Sequence, residues 1–346
     1  IMAYTTINKS SDHFNTKLYT GNGGTQSITG VGHKPDWTWI KPRDATGNHR
    51  ITDAVRGVTK QIYADLNNAE NTNTNGLTAF GTDGFTVGSD GGYNGNGVNF
   101  ASWNWKAGTS VSGNTTGSGT YKTYTGSVDT TAGFSIIKYT GNGTAGHTIP
   151  HHLGVAPSVV FVKGLGVADW SSYHSVLGNT GYMRLNNTNA FASASTYWNN
   201  TSPTSSVFTA GTTGNINANG NTYIAYCFAE KQGYSKFGSY TGNGSASSGT
   251  FVYLGFKPAF LMVKRTNASG HWQLVDTKRP SYNPQYYLRA NSNNVEATDI
   301  PFDIVSNGFK TRSTDTSYNG SGDSYIYMAF AEAPLVGSNN VPCTAR

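Results

Sequence analysis

One short phrase occurs three times in this chain and limits what it can fold into. Thr20-Gly21-Asn22-Gly23, Thr140-Gly141-Asn142-Gly143 and Thr241-Gly242-Asn243-Gly244 each follow a tyrosine, and each precedes a Gly-x-x-Pro turn and an apolar run. A period of roughly a hundred residues is too long for a solenoid, whose units run about 20 to 50 residues and cannot bury a core alone. It suits three tandem units that each close a core. Asn-Gly is a strong hairpin signal, because a type I′ turn needs two positive-φ positions, so the phrase is expected to start each unit as a hairpin turn. It lacks the following helix and basic residue of a phosphate-cradling loop.

Further landmarks keep the same order. Gly32-His33-Lys34-Pro35 leads into Trp37-Thr38-Trp39-Ile40-Lys41, which alternates like a half-buried strand. Val159-Val160-Phe161-Val162-Lys163 and Phe260-Leu261-Met262-Val263-Lys264 are apolar on consecutive positions, so these strands are expected to be covered on both faces. The lysine closing each run is read as the point where the strand leaves the core for water. Asp53-Ala54-Val55-Arg56, His174-Ser175-Val176-Leu177 and Asp276-Thr277-Lys278-Arg279 come next, with His49, Trp170 and Trp272 four residues ahead. Tyr63-x-x-Leu66-Asn67, Tyr182-x-x-Leu185-Asn186 and Tyr287-x-x-Ala290-Asn291 follow. Each unit ends in an aromatic strand, Phe100–Trp105, Tyr223–Phe228 or Tyr325–Phe330, with Gly97, Gly220 or Gly322 three residues ahead. Unit two, which lacks Arg-Gly and Asp-Gly-Phe, is the divergent copy.

The fold class that follows is all-β, three tandem β-sandwich-like domains of about 100 residues each. The expected boundaries are an N-terminal arm (1–12), repeats at 13–110, 132–232 and 233–335, a Gly/Ser/Thr linker at 111–131 and a C-terminal arm (336–346). The first half of that linker segment has linker composition, which leaves domain one more loosely tied than domains two and three, while its second half, from Tyr121-Lys122-Thr123-Tyr124, is expected as an extra hairpin leading into Phe134-Ser135-Ile136-Ile137. Composition agrees, since 13% of residues are aromatic and only 12% charged, so Asn, Ser, Thr and Gly must supply surface polarity.

The chemistry-bearing residues are sparse. The net charge is +6, but Lys and Arg number only 24 and form no dense run, which argues against nucleic acid. No segment has the apolar length of a membrane helix or a signal-peptide core, so membrane insertion is not expected. The chain holds 2 cysteines, Cys227 in a strand and Cys343 near the end, read as a core thiol and a tail thiol. His147, His151 and His152 match no zinc spacing, and Asp83 and Asp90 lack calcium-loop spacing, so turn chemistry is the better account of both. No cofactor, metal or catalytic constellation is expected, and the 18 carboxylates are scattered. Trp198 and Tyr282 lie in loop-like sequence, where exposed rings could stack on a host-surface glycan.

The run Tyr-Thr-Gly-Asn-Gly, Ile-Thr-Gly-Val-Gly-His-Lys-Pro-Asp-Trp-Thr-Trp-Ile-Lys, Asp-Ala-Val-Arg-Gly, Asp-Gly-Phe and Ser-Trp-Asn-Trp-Lys-Ala-Gly resembles an uncharacterised repeat family of virion structural proteins from marine bacteriophages, including those of cyanobacteria. The resemblance implies a non-enzymatic, surface-exposed virion protein, a tail fibre or host-adhesion component. A capsid decoration protein is the alternative, since three similar domains could mimic threefold symmetry on a lattice. A secreted array of carbohydrate-binding modules and a polysaccharide depolymerase are further alternatives. The implied partners are other virion proteins and further copies of the chain. The implied location is the virion surface, after assembly in the host cytoplasm and release by lysis.

Overall fold

The computed structural model describes residues 4–279, 286–299 and 301–337. Unit 1 contains β1 (Phe14–Thr20), β2 (Gln26–Thr29), β3 (Trp37–Pro42), β4 (Arg50–Asp53), β5 (Lys60–Tyr63), β6 (Asn71–Thr72), β7 (Leu77–Gly81), β8 (Gly84–Val87) and β9 (Asn99–Trp105). A segment of β10 (Thr109–Asn114), β11 (Thr116–Gly117) and β12 (Thr123–Asp129) follows. Unit 2 contains β13 (Phe134–Thr140), β14 (His147–Pro150), β15 (Val159–Gly164), β16 (Ser171–His174), β17 (Gly181–Tyr182), β18 (Ala192–Ser193), β19 (Val207–Ala210) and β20 (Thr222–Phe228). Unit 3 contains β21 (Ser235–Thr241), β22 (Phe251–Tyr253), β23 (Phe256–Arg265), β24 (Trp272–Asp276), β25 (Tyr286–Arg289), β26 (Ala297–Thr298), β27 (Phe302–Val305), β28 (Gly308–Thr311) and β29 (Ser324–Pro334).

One strand order recurs. The large sheet runs β1-β9-β3-β4-β5-β6 in unit 1 and β21-β29-β23-β24-β25-β26 in unit 3, and β13-β20-β15-β16 repeats its start in unit 2. A three-stranded sheet, β2-β8-β7, β11-β14-β19 or β22-β28-β27, completes each unit. The all-β, sandwich-like reading therefore stands. The apolar strands β15 and β23 are covered on both faces as expected, and β3, expected to be half-buried, is buried at all six positions.

The registers show why β3 is buried. One face of each large sheet packs on the unit's own small sheet, as Ile40 does with Ile28 and Phe85. The other face, carrying Trp37 and Trp39, joins a single core shared by all three units. Trp105, Phe228 and Phe330, which pair with Trp37, Val159 and Phe260 at matching registers, form a triangle with ring centroids 6.3, 5.9 and 5.5 Å apart. The units thus surround a pseudo-threefold axis. Rings in such tilted and edge-to-face arrangements add about 0.5–1.5 kcal/mol per pair beyond their burial.

This geometry corrects several expectations. Domain one is not loosely tied, because Trp37, Trp39 and Trp105 are integral to the shared core. The 111–131 linker is a strap: β12 pairs with β13, β10 pairs with β12, and β11 pairs with β14. The composition of its first half suggests a free coil, but a ladder asks only for backbone groups; its second half forms the expected hairpin into β13, and Tyr124 and Val128 turn into the outer core of unit 2. The N-terminal arm is docked in its described part, with Ile7 in the shared core and Tyr4 Oη donating to the Gly255 carbonyl of unit 3. Tyr4-Thr5-Thr6-Ile7, whose sequence suggests a short strand, forms none. Most of the C-terminal arm and Cys343 lie outside the described residues.

The Thr-Gly-Asn-Gly phrase is not a two-residue hairpin, because β1 pairs with β9 rather than β2. It carries the chain across from the large sheet to the small one. Gly23, Gly143 and Gly244 have φ of 73°, 75° and 68°, whereas the Asn before each lies outside the positive-φ residues. The phrase is held by a buried asparagine from the turn before the last strand: Asn94, Asn217 and Asn319 each accept from Asn22, Asn142 or Asn243 N at 2.9 Å. Each of these asparagines lies three residues before the glycine already noted ahead of the closing strand.

Candidate functional site

Chemistry-bearing side chains gather where the units meet. Two backbone hydrogen bonds recur at every border. Glu70 N donates to Leu165 O and Ala168 N to Asn67 O between units 1 and 2. Phe191 N to Thr266 O and Gly270 N to Thr188 O join units 2 and 3, and Glu296 N to Arg43 O and Gly47 N to Asn293 O join units 3 and 1. Each unit therefore offers one surface to the next and a different one to the last, a head-to-tail contact that closes after three steps.

The position of His49, Trp170 and Trp272 belongs to this border. Trp170 Nε1 donates to Tyr63 O and Trp272 Nε1 to Arg184 O, both at 2.8 Å, while the backbone of Arg289 and Ser292 stands beside His49. The backbone N–H of each is bonded at 3.0 Å by Asp65, Asn186 or Asn291. The matching residue in unit 1 is thus Asp65, two places before the Asn67 expected from sequence.

Three lysines end the inward faces of β3, β15 and β23, and here the reading as strand ends reaching water is overturned. Lys41, Lys163 and Lys264 are fully buried. Lys41 Nζ donates to Pro42 O at 2.6 Å. Lys163 Nζ donates to Gly164 O at 2.7 Å and Lys264 Nζ to Arg265 O at 2.8 Å. Two reach over a border as well, Lys163 to Asn67 O at 3.4 Å and Lys264 to Thr188 O at 3.2 Å. Burial lowers their pKa values to about 8, 8 and 7. A lysine ending an apolar strand reads as a surface residue until the neighbouring unit is known to cover it.

Asp53 and Asp276 are buried with Arg56 and Arg279. Arg56 Nε donates to Asp53 Oδ2, and its other nitrogens reach Glu70 Oε2 at 3.1 Å and Ile51 O at 3.0 Å. Arg279 Nε donates to Asp276 Oδ2 at 2.6 Å, and its Nη1 lies 4.0 Å from Glu296 Oε2. The same Oδ2 also accepts from the next unit, Tyr226 Oη on Asp53 at 2.7 Å and Trp103 Nε1 on Asp276 at 3.0 Å, while Oδ1 accepts backbone N–H groups of its own turn. Burial pushes the Tyr226 hydroxyl well above its ordinary pKa, so it remains a donor. These groups join adjacent units.

At the border of units 2 and 3 the same positions are His174, Leu177 and Phe191, and Met328 stands where Tyr226 and Trp103 donate. His174 Nε2 lies 3.3 Å from Tyr327 O, and burial lowers its pKa to about 4. A small apolar cavity of about 10 Å³ sits there, lined in part by Phe161, Ser172, His174, Leu177 and Met328.

An open cleft of about 480 Å³ lies between unit 1 and the strap. Lys34, Asp36 and Val55 form one side, and Ser110, Ser112, Thr125 and Ser127 the other. Asp36 Oδ2 accepts from Ala107 N at 2.8 Å, and burial raises its pKa. This lining offers hydroxyls for hydrogen bonding to a polar ligand.

The residues singled out in sequence fall elsewhere. Trp198, expected to be exposed for glycan contact, is buried against Tyr173 and Phe208 beneath the small sheet of unit 2, which removes it from that role. Its short polar neighbours suggested a loop, but Ser195–Trp198 forms one helical turn that points the indole inward. Tyr282 lies outside the described residues. The three histidines do not converge: His147 bonds Asn217 and Thr115, His151 bonds Thr204 O, and His152 bonds Tyr124 Oη. Among the described residues no group of three or more His, Cys, Asp or Glu is placed to hold a metal ion. Asp90 accepts from Gly92 N, the turn role expected of it, whereas Asp83 accepts from Gly30 and Gly32 N of a distant loop and so ties two loops together. Cys227 is a buried thiol whose pKa is pushed up to about 12.

The fold and its borders define a class: a single-chain, pseudo-threefold all-β ring with one shared aromatic core. The chain belongs to the family described as "Domain of unknown function (DUF7483)", which matches residues 9–334. That span takes in all three units together, as a shared core would require. No curated protein and no solved structure matches the chain.

Proposed function

We propose that this chain is a non-catalytic structural protein exposed on a virion surface, a tail-fibre or host-adhesion component. The observation that carries the reading is the closed ring: at each border, aromatic, lysine or ion-pair groups of one unit are engaged by backbone or side chains of the next. Such investment in fixing three units suits a part that must keep its shape outside a cell. The resemblance of the repeat landmarks to phage virion proteins supports the same reading. The Ser/Thr-lined cleft beside the strap supplies a surface for a polar receptor such as a glycan.

A second reading, capsid decoration, is favoured by the pseudo-threefold axis, since one chain then presents nearly the same surface three times to a threefold lattice position. Gold-labelled antibody against the chain, viewed on purified particles, tests both. Label on the tail supports adhesion and label over the head lattice supports decoration. Label absent from particles overturns the virion assignment.

A further inference from the structure

The strap Thr109–Asp129 covers the β13 edge of the large sheet and the β14 edge of the small sheet in unit 2, and pairs with no strand of another unit. β12 pairs with β13 along six positions, from Tyr124 opposite Tyr139 to Asp129 opposite Phe134. β11 extends the small sheet by pairing Thr116 with Thr148. The matching edges of unit 3 are β21 and β22, which end their sheets among the described residues. Phe251 and Tyr253 alternate outward on β22 and are 49% and 51% exposed, and Lys236 Nζ sits 5.5 Å from the Tyr253 ring centre. Through the registers Ile149 with Phe208 and Val252 with Phe309, Phe251 matches Thr148, the residue that the strap pairs with in unit 2. Unit 1 shows exposed Ser27 and Thr29 at the corresponding places, so the aromatic pair singles out unit 3.

We propose that the β21/β22 edge of unit 3 is a docking site for an extended arm of a partner polypeptide, which adds one strand to each sheet as the strap does in unit 2. A sheet edge that ends without a neighbouring strand presents backbone groups to a partner, and strand addition takes its affinity from main-chain hydrogen bonds and its specificity from alternate side chains. Here Tyr253 O is capped by Lys236 Nζ at 3.2 Å, a side chain the arm would displace. The strap states the chemistry that fits: a Gly-, Ser- and Thr-rich segment with an aromatic at the place of Tyr124, which seals the gap between the two sheets of unit 2. Phe251 and Tyr253 would pack against the arm's outward side chains. This inference is independent of where the protein is deployed.

The test uses a fluorescent peptide of residues 109–129 titrated with the full chain and read by anisotropy. Saturable binding is expected, weakened at least tenfold by Tyr253→Glu or Phe251→Glu and unchanged by Ser27→Glu. Both aromatics are half-exposed, so the melting temperature of each variant should match the parent; Tyr253→Ser with Phe251→Ser replaces any that does not. Failure to bind at the highest soluble concentration overturns the proposal. So does binding indifferent to the unit 3 variants. Self-association without peptide that Tyr253→Glu abolishes also overturns it, because the edge would then be filled by a second copy.

Discussion

The border of units 1 and 2 and that of units 2 and 3 solve the same packing problem with opposite chemistry. The first buries Asp53 and Arg56, sets partly exposed Glu70 against Arg56 and receives Tyr226 from the neighbour. The second places His174, Leu177 and Phe191 at those positions and receives Met328. The border of units 3 and 1 keeps the charged form, with Asp276, Arg279, Glu296 and Trp103. All four positions differ together. A buried carboxylate needs its guanidinium and its donor, so losing one member alone would strand the others, whereas an apolar set that replaces all of them needs none.

The largest effect should come from breaking that unity. Arg56→Leu leaves Asp53 buried with only its tyrosine and backbone donors, and should cost about 3–5 kcal/mol in chemical denaturation. A loss below about 1 kcal/mol would mean that the ion pair does not hold the border. Next is acid. The His174 pKa falls from an unfolded value near 6.5 to about 4 in the folded protein, because burial opposes its charge. Its contribution is complete above pH 6.5, where both states are neutral, and is lost as pH falls from there toward 4, on the order of 3 kcal/mol. The titratable groups lining the same cavity are Tyr173 and Tyr327, which stay neutral over that range. His174→Leu should flatten that part of the stability–pH curve, and an unchanged slope between pH 4 and 6.5 would contradict the assignment.

Transplanting the whole apolar set is gentler than removing one charge. Asp53→His, Arg56→Leu, Glu70→Phe and Tyr226→Met together should lie within about 2 kcal/mol of the parent, because no charge is left uncompensated. If the combined variant is as unstable as Arg56→Leu, the two borders are not interchangeable.

The parts of this arrangement differ in how far sequence reveals them. Strands, unit number and unit order follow from local signals, since Gly-x-x-Pro turns, aromatic runs and the consecutive apolar positions of β15 and β23 all report on near neighbours. The borders depend on distant partners, 76 residues away for Lys264 to Thr188 and 173 for Tyr226 to Asp53. Nothing beside Lys41 announces a covering unit. Asp53-x-x-Arg56 and Asp276-x-x-Arg279 were visible as landmarks, yet the spacing alone suits a surface turn as well as a buried pair. Trp198 misleads for the converse reason, as its polar neighbours hide the one helical turn that buries it. The first half of the strap misleads because a Gly/Ser/Thr composition describes side chains, while its role is played by the backbone.

The smallest effect concerns the cavity between units 2 and 3. Ser172 pairs with Phe161 as Ile51 does with Trp39 and Leu274 with Met262, so unit 2 carries a hydroxyl where the others carry an aliphatic chain. Its Oγ has no hydrogen-bond partner and faces the cavity. Ser172→Val removes the stranded hydroxyl and adds methyl groups toward open space, which should raise stability by about 1 kcal/mol and the melting temperature by about 2 °C. Val is the conservative choice, because the full Ile or Leu side chain would press on Leu177 and Met183, and overpacking costs as much as a void. A lower melting point for Ser172→Val would show that this border is already filled, and that its apolar set packs as tightly as the charged sets it replaces.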